Sequence, residues 1–458
     1  MSSITSRSKA GHGEAVLICV AAATCLALIV FCAPLTTASA TVASLGGGVA
    51  LQAWVLSAMP LGAAAGLLCA GAMGDALGRR EVFIGGLWLT TAASALAALA
   101  PTGSIMVAGR ILQGLGCAGL LACGLGLLAE AYEGPARARA ARIWAASLGA
   151  GVALGPLLCA ILLELSGWRA AYWSILALSL ALSILAMRVL PVTRGQRQRV
   201  DYLGSLLLIM GLVPILAALI QVRSGVTVQV AVLTALGVIF LIGFILRERQ
   251  AANPILMLQL FRNRDFVSAT TGAFASGAGV LAIMASVPVI LQQGYHLNAI
   301  GASLVILAWS ALTAVTALFS GKLTHGLAPR TVLIAALLGC TLGQALLLFI
   351  REGSGWESAI AGLVIAGVSN GILNASLGHQ AVESVPADKA AMGSGANNTA
   401  RYLGSAIGFA LIAMLVAHGL AQGDLFLGWD EAVLTSVGFS LAGLCVVFSL
   451  KPPKANQG

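Results

Sequence analysis

Gly71-Ala-Met-Gly-Asp75-Ala-Leu-Gly78-Arg79-Arg80 lies between two long apolar runs. Glycines at both ends, one aspartate and an arginine pair mark a reverse turn between two hydrophobic helices. The surrounding chain says what kind of helices these are. Of 458 residues, 59% are hydrophobic and only 9% are charged, whereas a soluble chain carries roughly a quarter charged. Too little polar surface exists to wrap a globule of this size in water. Lipid is therefore the solvent, and apolar runs of ~20 residues are spanning helices. The chain reads as an all-α polytopic membrane protein.

Fourteen apolar spans are read at 15–41, 49–73, 82–100, 105–129, 143–165, 171–190, 203–221, 228–247, 267–292, 300–320, 331–350, 358–379, 399–420 and 431–450. An even number places both termini on one side of the membrane. That side holds twenty basic residues, among them Arg79, Arg80, Arg137, Arg247 and Lys389, while the other holds only Arg169, Arg223 and Arg351. Short loops rich in Lys and Arg stay inside, so both termini are expected to be cytoplasmic. Arg7 and Lys9 precede an apolar run longer than a signal-peptide core, which reads as a signal anchor. The nine cysteines lie in apolar segments without a C-x-x-C pair and read as packing residues. The net charge of +9 follows from loop position and does not point to nucleic acid. No metal site or cofactor is expected.

The 71–80 loop resembles the signature G-x-L-x-D-x-x-G-R-R of the major facilitator superfamily of secondary transporters, with Met73 in place of leucine. Gly109-Arg110-Ile-Leu-Gln113-Gly114-Leu-Gly116 resembles the family's R-x-x-Q-G-x-G motif. An arginine inside a span needs a cavity or a partner, and Gln113 lies one turn away; snorkelling to the membrane surface is the alternative. Gly151-Val-Ala-Leu-Gly155-Pro156 resembles the exporters' G-x-x-x-G-P-x-x-G-G, although Cys159-Ala160 replace its last glycines. Glycines four apart allow close helix approach, and the proline favours a bend. Packing alone would also explain the glycines.

Asp201-Tyr-Leu-Gly204 and the segment from Asn253-Pro254 to Arg262-Asn263-Arg264-Asp265-Phe266 resemble landmarks of the fourteen-helix drug:proton antiporter branch. The second is also readable as an amphipathic surface helix. Gly321 to Arg330 is a worn second copy of the opening loop, with His325, read as a solvated loop residue, where the aspartate was. Ser394-Gly395-Ala-Asn397-Asn398-Thr399-Ala-Arg401 resembles a family segment read as a helix cap.

The resemblance implies the major facilitator fold, two six-helix bundles plus two extra central helices. The divisions fall at 1–14 (tail), 15–190 (first bundle), 191–266 (central section), 267–450 (second bundle) and 451–458 (tail). It implies alternating access around a central site, with Asp75 approaching the helix start near Asn397, Asn398, Thr399 and Arg401 when the inner gate shuts. Gly71, Gly78, Arg79 and Arg80 complete that gate, with capping of its own turn as the plainer role for Asp75. Asn370 and Asn374 share a helix face and are candidate substrate-lining residues or interhelical bonds.

The expected function is efflux of lipophilic or cationic small molecules by proton antiport, in a bacterial inner membrane and as a monomer. The alternative is an uncoupled carrier for a small metabolite. No span contains a carboxylate at mid-depth, and Phe31 to Thr41 lacks the acid that many antiporters of the branch carry. Glu130 and Asp75 are therefore the candidate proton carriers. No G-x-x-x-x-G-K-[S/T] loop supports an ATP-driven pump, and no catalytic constellation supports an enzyme.

Overall fold

The computed structural model describes residues 2–192, 201–221, 227–251, 254–386 and 390–450, without the side chains of 2–12, 138, 390 and 391. The tail at 451–458, Arg223, Asn253 and Lys389 lie outside the described residues, as do the side chains of Arg7 and Lys9. Every regular element among the described residues is helical. Fourteen helices are long and apolar enough to cross a membrane. The first eight are α1 (Ser2–Ser44), α2 (Val49–Leu77), α3 (Arg79–Ala98), α4 (Gly103–Ala131), α5 (Gly134–Ser166), α6 (Trp168–Val189), α7 (Tyr202–Gln221) and α8 (Val228–Gln250). The others are α9 (Arg264–Gly294), α10 (Ala299–Leu323), α11 (Pro329–Phe349), α12 (Ser358–Glu383), α13 (Ala390–Ala421) and α14 (Leu425–Ser449).

Helix starts follow local chemistry. Asn298 and Asp424 accept backbone N–H groups at the first turns of α10 and α14, and Pro135 opens α5. Three starts differ from the apolar runs. α1 begins at Ser2, so the stretch read as a tail continues the helix. α5 and α13 begin at Gly134 and Ala390, each nine residues before the run read at 143 and 399. Hydropathy sees only the lipid-facing length, whereas a helix continues as far as its backbone bonds are met.

Within each bundle, small residues set the spacing. A Cβ on Gly62 would meet Gly114 of α4 at 3.2 Å, and one on Gly343 would meet Ala366 of α12 at 2.7 Å. Lipid gives no hydrophobic drive between helices, so close backbone approach and interhelical hydrogen bonds hold them. Thr91 of α3 bonds Ser179 of α6 at 2.9 Å, and Gln344 of α11 bonds Ser436 of α14 at 2.9 Å. These helix pairs hold corresponding places in the two bundles, as a duplicated unit requires.

The bundles meet along two seams, α2 against α13 and α5 against α10. The α7–α8 hairpin covers the first, with Leu208, Leu212 and Leu216 packed on Ala53, Leu61, Ala406 and Ala410. A π-helical stretch, Ser276–Leu281, interrupts α9. Gly277 within it lies against the Arg401 carbonyl of α13.

Candidate functional site

The turn at the arginine-rich end is one residue long. α2 runs on to Leu77 and α3 starts at Arg79, so Gly78 alone makes the corner at φ 113°, a backbone angle that side chains disfavour. Arg79 then reaches back to Asp75 Oδ1 at 3.3 Å and across to Glu130 Oε1 of α4 at 3.3 Å. One guanidinium thus ties the end of α2 to the end of α4. Room for it comes from Gly126, whose Cβ would lie 2.6 Å from Arg79 Nη1. The sequence reading missed Gly126, although its place four residues before Glu130 was a usable signal.

Two gate assignments are revised. Arg80 turns away to α6, donating to the carbonyls of Leu190 (3.0 Å) and Met187 (2.9 Å), where a cation suits the helix end. Gly71 needs no special space, since nothing lies within 4 Å of a Cβ there. Asp75 and Glu130, the candidate proton carriers, are 46% and 41% exposed, so both stand at helix ends within reach of water. Gly126→Val is expected to displace Arg79 from both acids. Exposed ion pairs contribute about 0.2–1 kcal/mol each. Melting should therefore change little while transport falls, which a paired thermal and vesicle assay measures.

Deeper in the first bundle, Arg110 is fully buried, which rules out snorkelling. Its Nη1 donates to the Val30 carbonyl at 2.8 Å and to Gln113 Oε1 at 2.9 Å. Gln113 Nε2 passes the chain to Ser94 Oγ at 2.9 Å, and Ser94 donates to Thr90 O at 2.6 Å. Nε and Nη2 of Arg110 have no hydrogen-bond partner. Tyr172, Cys117, Cys159 and Cys32 lie within its electrostatic reach. Among the described residues it forms no ion pair.

The glycine–proline motif of α5 sits at a three-helix junction. Gly151 abuts the Cys25 carbonyl of α1, with Leu28 Cβ 2.6 Å from where its own Cβ would be; Gly155 faces Ile29 Cα at 3.2 Å. Pro156 removes one backbone donor, which frees the Val152 carbonyl, and the Cys32 thiol lies 4.0 Å from it. The Pro156 carbonyl accepts from Thr36 of α1 (3.4 Å) and from Ser303 of α10 (3.3 Å). The motif therefore touches both bundles, and α5 is continuous through it.

In the second bundle the expected cap at 397–401 is corrected. Asn397, Asn398, Thr399 and Arg401 lie inside α13, beyond its second turn. Asn397 Nδ2 donates to the Ala269 carbonyl of α9 at 3.1 Å, while Asn397 Oδ1 accepts from Arg401 Nη2 at 3.2 Å. Asn398 bonds back to Ser394 O. Asn370 is fully buried and donates to Thr313 of α10 at 3.5 Å, an interhelical bond, while Asn374 is half-buried with its carbonyl oxygen unpartnered. Neither lines the narrow cleft at the end away from the arginines. That cleft is walled by Gln52, Leu56, Gln293, Ile412, Val416 and Trp429.

Two helical bundles, an internal repeat and charges gathered at the helix ends define a multi-span membrane transporter. The family model described as Major Facilitator Superfamily matches residues 17–409, and the chain belongs to that superfamily. The multidrug efflux pump LfrA of Mycolicibacterium smegmatis is 29% identical over 80% of this chain and 73% of its own length. The methylenomycin A resistance protein of Bacillus subtilis is 28% identical over 86% and 85%. Among solved structures, an auto-inhibited POT family peptide transporter superposes with a TM-score of 0.67 at 14% identity, covering 97% of this chain and 98% of that one.

Proposed function

We propose that this protein exports lipophilic small molecules by alternating access, driven by a proton gradient, with its arginine-rich end and both termini in the cytoplasm. The observation that carries the reading is the α5 junction. One carbonyl, that of Pro156, accepts from both bundles across a seam of small residues. Such a contact is weak enough to break when the bundles rock and specific enough to re-form. The similarity to a named efflux pump and a named resistance protein supports the outward direction. Arg110 lies inside α4 and Arg401 inside α13, the acids of α14 (Asp430 and Glu431) stay within its first two turns, and a cationic substrate would meet no carboxylate at mid-depth. Neutral lipophilic compounds therefore fit the interior better than cations.

Asp75, Arg79 and Glu130 form the latch of the cytoplasmic gate. Leu68 of α2 lies beside Gly395 of α13, 3.4 Å from where its Cβ would be. Seven residues further along α2 is about 10 Å at 1.5 Å per residue, which brings Asp75 level with the start of α13. Asp75→Asn keeps the shape but removes the charge, and transport in everted vesicles is expected to drop. Unchanged transport would end the latch reading.

The same vesicles test the mechanism. Accumulation of a neutral lipophilic dye that depends on the proton gradient supports antiport. Equilibration that ignores the gradient supports the second reading, a facilitated-diffusion carrier. That reading is favoured by the exposure of Asp75 and Glu130 and by their shared tie to Arg79.

A further inference from the structure

At the arginine-rich end of the α7–α8 hairpin, two carboxylates share one glycine. Asp201 precedes α7 and accepts the Gly204 N–H at 3.0 Å. Glu248 lies beyond the apolar run of α8, between Arg247 and Arg249, yet its residue is only 4% exposed. A Cβ on Gly204 would lie 3.0 Å from Asp201 Oδ2 and 3.0 Å from Glu248 Oε1. The two oxygens are thus at most about 6 Å apart, both against the space that a side chain at position 204 would fill.

Their surroundings are unequal. Arg247 Nε holds both oxygens of Asp201, at 3.1 and 2.9 Å. Glu248 has no ion pair among the described residues; its Oε2 accepts the Leu256 N–H at 2.9 Å. Its Oε1 is buried without a partner and faces the Asp201 side of the pair. The other titratable group facing this pocket is Cys69 of α2, which carries no positive charge. From the segment at 254–263, the Leu256 N–H is the group that bonds Glu248. One cation therefore serves two buried carboxylates, and it is engaged by Asp201. A second uncompensated negative charge at this distance, away from water, is strongly unfavourable.

We propose that Asp201 and Glu248 form a proton-binding site in which Asp201 is ionised against Arg247 and Glu248 carries the proton on Oε1. The bound set is then neutral: one guanidinium, one carboxylate and one carboxylic acid. The proton comes from the aqueous phase at the arginine-rich end and returns to it. The site is tied to the seam between the bundles. Glu248 holds the Leu256 N–H, and on either side of Leu256 the residues Ile255 and Leu260 pack on Leu68 and Cys69 of α2 and Ala396 of α13. The segment ends at Asn263, whose Nδ2 donates at 2.7 Å to the carbonyl of Ser384, the residue that closes α12. Proton occupancy is thereby coupled to a strap lying across α2 and α13.

The inference stands apart from proton-driven export, because it is read without transport. Purified full-length protein in nanodiscs is taken from acid to alkaline pH and followed by infrared difference spectroscopy. A carboxylic-acid carbonyl band that persists at neutral pH and is lost in Glu248→Gln is the expected result. Asp201→Asn, which keeps a capping side chain but removes the neighbouring charge and releases Arg247, should shift loss of that band to lower pH. Absence of the band at neutral pH, its survival in Glu248→Gln, or an unmoved titration in Asp201→Asn would each overturn the assignment.

Discussion

Gly151→Leu is expected to abolish transport and to destabilise the fold by about 3 kcal/mol, the upper part of the usual range for overpacking. The collision is with backbone as well as side chain. A Cβ at Gly151 strikes the Cys25 carbonyl and comes to 2.6 Å from Leu28 Cβ. Neither atom is the tip of a flexible side chain, so α1 and α5 must separate. That separation also pulls the Pro156 carbonyl away from Thr36 and Ser303, so one substitution breaks packing and the junction between bundles together. Gly71→Leu is the internal control. Nothing lies within 4 Å of its Cβ, and an unconstrained surface change stays within about 0.5 kcal/mol. Thermal unfolding of both variants beside wild type measures the contrast. Equal melting of the two would remove the packing argument.

Arg110→Met should separate stability from function in the opposite way. Replacing an uncompensated buried charge by an apolar chain of similar length is often neutral or stabilising. Arg110 brings two unpartnered donors into the interior, and their removal offsets the loss of its bonds to Val30 and Gln113. Transport is another matter. Hydrogen bonds to a charged group contribute about 1.5–3 kcal/mol, so losing one made at a step of the cycle slows it by roughly 10- to 100-fold. The expected result is a protein that melts no lower than wild type and transports the neutral dye at a small fraction of its rate. A variant that melts early but transports normally when folded would make Arg110 a purely structural residue.

The fold was legible because lipid imposes a simple rule on sequence. Spans such as 49–73 and 203–221 fall on α2 and α7 with little error, since a charge or turn residue ends each apolar run. The rule fails where a helix leaves the lipid, as at Gly134 and Ala390. There Asn397 and Asn398 looked like a cap because polar residues ended the apolar run. In the structure Asn397 bonds two neighbouring helices, and a single chain's pattern cannot display partners in α9 and α12.

The site was legible where partners are one turn apart. Asp75 with Arg79, and Arg110 with Gln113, follow from helical spacing alone. Glu130 was picked for its depth and proved to be the third member of the Arg79 cluster. Gly126, Ser94, the π-helical stretch of α9 and the Asp201–Glu248 pair depend on contacts between distant segments. Glu248 in particular was hidden by its neighbours, since Arg247 and Arg249 make its position look like solvated helix end.

The hairpin of α7 and α8 has a consequence for the surrounding lipid. It covers the α2–α13 seam, whereas Leu154, Leu158 and Ile161 of α5 and Leu304 and Val315 of α10 are exposed flanking the other seam. Hydrocarbon tails thus touch the junction of the bundles on one flank only. A molecule dissolved in the bilayer meets a blank wall from the hairpin side and a lipid-bathed junction from the other. The transporter is lopsided in the plane of the membrane, and sideways approach has a single direction.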